Sequence, residues 1–171
     1  MPSGIIIKKQ GPNSDMAIEI ERKFLLANDS WKQQAAAPSR YQQGYMTLDG
    51  EKNSVRVRLC DDKAWVNFKS ATLGMRRLEF EYPVPVDDAR QMLDNLCYSP
   101  QIEKDRYLVK YDNHTWEVDV FYGENDGLVV AEIELQSEDE QFKHPEWLGE
   151  EVTDDERYYN VCLIRNPYKN W

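Results

Sequence analysis

The chain has 171 residues, 41% hydrophobic and 30% charged, with a formal net charge of −10. That is enough length for one domain with a substantial core, and the apolar content is too high for a disordered chain. No run of about 18 apolar residues predicts a membrane-spanning helix, and the acidic balance argues against a nucleic-acid partner, which needs a basic footprint.

Residues 1–15 show little pattern, contain Gly11-Pro12-Asn13 and read as a flexible N-terminal extension, with Met16 as an alternative start and 16–171 as a single domain. Ile5-Ile6-Ile7 is too short for the apolar core of a signal peptide. Alternation then predicts a strand over 17–26, where Glu19, Glu21 and Lys23 share one face and Ile18, Ile20 and Phe24 the other. Burying such a charged face is costly unless its members are paired or bind ions. Two acids beside a lysine suit a divalent metal held next to a phosphate chain. A short helix is expected near 29–37, stopped by Pro38, then strands over 41–48, 54–60 and 64–70. Arg56, Arg58 and Lys69 each alternate with apolar residues in the last two. In 76–84, Arg77, Glu79 and Glu81 alternate with Leu78, Phe80 and Tyr82. A helix is expected over 87–97, capped by Asp87, with Ala89, Met92, Leu93 and Leu96 as its apolar stripe. Strands over 102–111, 114–122 and 128–135 follow. They place Lys104 with Arg106, Glu117 with Asp119, and Glu132 with Glu134 two residues apart. Asp61-Asp62-Lys63 and Asp112-Asn113 are turn signals. The last 40 residues read as helical pieces broken at Pro145 and Gly149.

Eight antiparallel strands with charged faces predict an α+β, mainly β, fold: a closed barrel with a charged lumen. The outward apolar faces then need cover, assigned to helices near 29–37, 87–97 and 154–166. A solvated face has no need to group bases on some strands and acids on others. A polar lumen of this kind is a tunnel for a highly charged ligand, and a low-dielectric channel focuses its field even in an acidic protein. Cys60, Cys97 and Cys162 form no metal or redox spacing and point to reduced thiols in a cytoplasm.

The ordered set Glu19-x-Glu21-x-Lys23, Arg56-x-Arg58, Lys69, Arg77-x-Glu79-x-Glu81, Lys104-x-Arg106, Asp119 and Glu132-x-Glu134 resembles the CYTH superfamily, the triphosphate tunnel metalloenzymes. Gln43-Gly44-Tyr45 and the tail from Gly149 to Asn160 share in the likeness, which runs over about 17–165. The resemblance implies an eight-stranded tunnel that binds a triphosphate with Mg²⁺ or Mn²⁺. Short members with this tail are similar to bacterial inorganic triphosphatases. Class IV adenylate cyclase, thiamine triphosphatase or a non-catalytic polyphosphate or nucleotide receptor are the alternatives. Arg56, Arg58, Lys69, Arg77, Lys104 and Arg106 are then the expected phosphate clamp. Glu19, Glu21, Asp119, Glu132 and Glu134 are the metal carboxylates, with Glu79, Glu81 and Glu117 in support. Lys23, Tyr45 and Arg157 are expected at the reacting phosphate. A small-molecule triphosphate is the expected partner of a monomer or homodimer, without nucleic acid or membrane. His114 and His144 are read as surface residues.

Overall fold

The computed structural model describes residues 18–48, 51–71 and 74–171. The expected N-terminal extension and Ala17 lie outside them. Nine strands form: β1 (Ile18–Leu26), β2 (Ser39–Tyr45), β3 (Asn53–Cys60), β4 (Lys63–Ser70), β5 (Arg76–Val84), β6 (Ile102–Tyr111), β7 (His114–Phe121), β8 (Val129–Glu134) and β9 (Leu148–Glu151). The sheet order is β5-β4-β3-β2-β6-β7-β8-β1, and β5 pairs with β1 to close an eight-stranded ring. Every pairing is antiparallel. The free side of β1 is divided. Ile18–Ile20 pair with Leu78–Arg76 of β5, while Phe24 and Leu26 pair with β9. The seam therefore rests on three register pairs.

The two-residue turns fall where the Asp and Asn signals placed them. Cys60 faces Lys63 and Tyr111 faces His114, with Asp61 and Asp112 in the left-handed region at φ 52° and 53°. Lys63, read as part of the turn, is the first residue of β4.

The outward apolar faces are covered in two patches. Ile20, Phe24, Trp116, Val118, Ala131 and Ile133 pack beneath Trp31, Trp147 and Phe142. The predicted 29–37 helix is only a 3₁₀ turn, Ser30–Gln33, which supplies Trp31. Helix α1 (Val86–Asn95) lays Ala89 and Leu93 over Val57 and Ala64. Its N-cap position is Pro85 rather than Asp87, which lies in the first turn beside Asp88, where carboxylates favour the positive end of the helix dipole. Leu96 falls past the helix end and is exposed. On the outer face of β4 and β5, Phe68, Leu78, Phe80 and Tyr82 stay exposed.

The tail departs most from expectation. It contains β9, a 3₁₀ turn (Glu156–Tyr158) and the one-turn helix α2 (Asn160–Leu163). It does not cover the outside. Val152, Tyr158, Leu163 and Ile164 pack with Tyr45, Ile102, Phe121 and Val130, whose strand parity is that of the charged, inward residues. The tail thus plugs one end of the lumen with an apolar stopper.

Candidate active site

One cavity occupies the lumen. It is lined by Arg56, Arg58, Lys69, Arg77 and Arg106, by Glu19, Glu21, Glu79, Glu81, Glu117, Glu132 and Glu134, and by Lys23 and Tyr45. The strands explain the grouping. Arg56 and Arg58 are alternate residues of β3, Lys69 is the next-to-last residue of β4 and Arg77 the second of β5, so on this wall bases outnumber the acids Glu79 and Glu81. Glu19 and Glu21 of β1 lie beside Glu132 and Glu134 of β8, where Glu21 is the register partner of Glu134, so the other wall is acidic.

Ion pairs tie the walls together. Lys69 Nζ lies 2.7 Å from Glu19 Oε2, and Arg77 Nη2 lies 3.4 Å from Glu21 Oε1 and 3.8 Å from Glu19 Oε2. Arg56 Nη2 lies 3.6 Å from Glu79, and Arg58 pairs with Glu81. Lys23 Nζ is 2.8 Å from Glu132 Oε1 and donates to the Tyr158 carbonyl at 3.2 Å, which links it to the plug.

The carboxyls differ by neighbourhood. Burial alone would raise Glu19, but Lys69 and Arg77 outweigh it and hold the group well below the usual range. Burial and then repulsion from Glu132 and Glu19 push Glu21 up to about 7. Glu132 is more deeply buried, yet Lys23, Arg106 and Lys104 outweigh that burial and hold it far down. Glu21 thus marks the place where negative charge exceeds the cations at hand.

Two expected members stand one layer back. Lys104 and Asp119 pair with each other, are 2% and 0% exposed, and do not line the cavity. Burial, then repulsion from Arg106, lowers Lys104 to about 8. Arg106 connects this layer to the cavity. Its Nε donates to Asp119 Oδ1 at 2.7 Å and its Nη2 to Glu132 Oε2 at 2.8 Å, and it also bonds Glu117. Arg157 does not reach the lumen: its exposed guanidinium is 2.6 Å from Asp155 and lies over Trp171. The residues that do project inward from the tail are its neighbours Tyr159, Asn160 and Val161.

The sequence reading also missed residues of the wall. Ser54 and Thr115 line the cavity and share parity with Arg56 and Glu117, a signal that was available. Gln43 and Asn67 are wholly buried on the inward faces of β2 and β4, and Asn67 donates to Glu79 at 2.9 Å. The histidines lie outside the site. His114 bonds Glu140 and His144 stacks on Phe142.

Known proteins resemble this chain in sequence and in fold. The CYTH domain profile matches residues 17–162. The chain is 49% identical to an inorganic triphosphatase of Acetivibrio thermocellus over 91% of its own length and 99% of the relative. It is 38% identical to an inorganic triphosphatase of Nitrosomonas europaea over 85% and 95%. A crystal structure of an inorganic triphosphatase superposes with a TM-score of 0.61 at 33% identity, covering 85% of this chain and 93% of that one. By profile, by sequence and by barrel, the chain belongs to the CYTH domain family.

Proposed function

We propose that this protein is an inorganic triphosphatase that hydrolyses tripolyphosphate to pyrophosphate and phosphate with the help of a divalent cation. One observation carries the reading: a cluster of bases from β3, β4 and β5 meets a cluster of carboxylates from β1 and β8 in one lumen, with the tail packed at its end. Both curated relatives, named inorganic triphosphatases, support it over nearly their whole lengths.

Phosphoryl transfer asks a protein mainly for positioning and charge stabilisation. Arg56, Arg58 and Arg77 offer planar forks for phosphoryl oxygens, and Lys69 adds a point charge. Arg106 reaches the chain from the opposite side, its fork held by Asp119, which Lys104 pairs from behind. Bringing a polyanion into the cavity exchanges the bonds these bases make to Glu19, Glu79 and Glu81 for bonds to phosphate. Lys23 meets the chain beside the plug, and Tyr45 closes the wall next to Arg56.

Among the described residues no three metal-donor side chains are already gathered around one point. The donor chemistry nevertheless fits a hard cation. The acidic wall offers only oxygen, as Mg²⁺ and Mn²⁺ prefer, and Glu21 sits where positive charge is short. Glu19, Glu21, Glu132 and Glu134 are the residues that would hold it. When bound, the cation neutralises phosphate charge and makes a water more acidic. We assign the protein to the cytoplasm because its three cysteines are free. No helix among the described residues is long and apolar enough to cross a membrane.

The test is a panel of tripolyphosphate, ATP and thiamine triphosphate with Mg²⁺ or Mn²⁺, with products identified. Tripolyphosphate is expected to be cleaved in clear preference. Faster conversion of ATP to cyclic AMP and pyrophosphate would replace this reading with a cyclase. Binding of tripolyphosphate without cleavage would make the protein a receptor.

A further inference from the structure

Resting on the triphosphatase reading, we propose that Tyr159 is a positioning residue, whose ring holds the Arg77 fork in place to meet the bound phosphate chain. Tyr159 and Arg77 both line the cavity. The Arg77 guanidinium carbon lies 5.5 Å from the centroid of the Tyr159 ring, within the range of a cation–π contact. The two come from distant parts of the chain, the tail and the second residue of β5.

The acids around Arg77 do not fix its fork. Its Nη2 is 3.4 Å from Glu21 Oε1 and 3.8 Å from Glu19 Oε2, whereas Lys69 sits 2.7 Å from Glu19. Its Nε is buried and has no acceptor among the described residues. Arg58 and Arg106 are held differently, by close pairs to Glu81 and Asp119 that occupy the edge of each fork. A ring attracts a guanidinium through its π face and takes none of its N–H donors. It can therefore hold the cation still and leave the donating edge to phosphate. A clamp needs that orientation before substrate arrives, because phosphoryl transfer asks the protein mainly for positioning.

The ring is itself anchored. The Tyr159 hydroxyl donates to the Thr153 carbonyl at 3.0 Å and accepts from the Gly74 N–H at 3.3 Å. Gly74 lies just ahead of Arg77 on the chain, and Met75 between them accepts from the Glu21 N–H at 2.9 Å. Thr153 in turn accepts the Lys23 N–H at 3.0 Å. At the other end of the residue, the Tyr159 carbonyl accepts from the Leu163 N–H at 3.0 Å, and Leu163 is buried in the plug. The tail, β1 and the approach to β5 thus meet at one side chain, with the Arg77 guanidinium against its ring.

Tyr159→Leu keeps apolar bulk and removes the π face. Tyr159→Phe keeps the face, and a trifluorinated phenylalanine at the same position keeps the shape while drawing negative charge off the face. Each is compared with wild type, alone and in an Arg77→Ala background, by calorimetric binding of imido-bridged triphosphate, a non-hydrolysable analogue, with Mg²⁺. The expected result is about tenfold weaker binding for Tyr159→Leu, a loss within about threefold for Tyr159→Phe, and a further loss of about threefold on fluorination. In the Arg77→Ala background the three should bind alike within about twofold, because a residue that acts through Arg77 has nothing left to position there. Equal losses in both backgrounds overturn the assignment and leave Tyr159 as packing of the plug. So does a Tyr159→Leu affinity within about twofold of wild type, or a fluorinated form that binds like Tyr159→Phe. The two phenylalanine forms share one shape, so their comparison decides the matter even where Tyr159→Leu does not fold. Wild-type protein that binds the analogue but does not cleave tripolyphosphate overturns the hydrolase reading instead, and the binding comparison still decides Tyr159.

Discussion

The two sides of the barrel use one alternating pattern for different ends. On β6, β7 and β8 the inward charges Lys104, Arg106, Asp119, Glu117 and Glu132 bond to one another, and the outer face of this wall is sealed beneath Trp31, Trp147 and Phe142. On β3, β4 and β5 the inward bases face open cavity, and the outer face of β4 and β5 leaves Phe68, Phe80 and Tyr82 exposed. Depth, rather than pairing, separates them: Lys104 and Asp119 are sealed behind the cavity, whereas Arg106, Glu117 and Glu132 line it together with the paired bases of β3, β4 and β5. Sequence alternation selects the face a charge occupies, and depth along the barrel selects whether it meets the cavity.

The sharpest way to break the comparison is Asp119→Ala. It leaves Lys104 and Arg106 buried without their shared acceptor, and loss of one partner of a buried network costs about 3–5 kcal/mol. Urea unfolding should show that loss, with Tm lower by roughly 10 °C or more. A variant with wild-type Tm and no activity would move Asp119 into the binding set. Arg56→Ala on the open side should do the reverse. We expect unchanged Tm but a fall in kcat/KM of about 100-fold, or about 2.7 kcal/mol, shared between kcat and KM because the fork holds phosphate before and during reaction. Kinetic parameters within twofold of wild type would remove Arg56 from the clamp. Gly44→Ala tests the contact that presses β2 against α1. The added methyl must displace Cys97 and Leu93, and overpacking of this kind costs about 1–3 kcal/mol, to be read from chemical denaturation. An unchanged midpoint would mean that α1 does not bear on β2. The smallest effect is expected at Arg157→Ala, whose guanidinium is exposed against Asp155. Steady-state kinetics with tripolyphosphate should stay within about twofold, and a larger loss would bring the tail's outer surface into the mechanism.

The ring of eight strands was legible because charge repeats every second residue, and few structures other than a closed barrel need that on so many segments. The inward faces that carry the bases and the acids were legible for the same reason. What alternation does not carry is depth. Lys104 and Arg106 are two apart on one strand and read alike, yet one lies behind the cavity and the other in it. Strand β9 escaped because Leu148-Gly149-Glu150-Glu151 has no alternation and owes its pairing to the free half of β1. The tail was placed on the wrong side of the wall because Leu163 and Ile164 would serve equally as an outer cover or an inner plug. A one-turn helix is too short for its pattern to decide. Arg157 points outward to Asp155, and it is the adjacent Tyr158 whose carbonyl meets Lys23.

The stopper formed by Val152, Tyr158, Leu163 and Ile164 makes the passage a cul-de-sac. Whatever enters must back out through the doorway it used. Among the described residues, a phosphate chain lying in the lumen would meet that apolar packing with its inner tip.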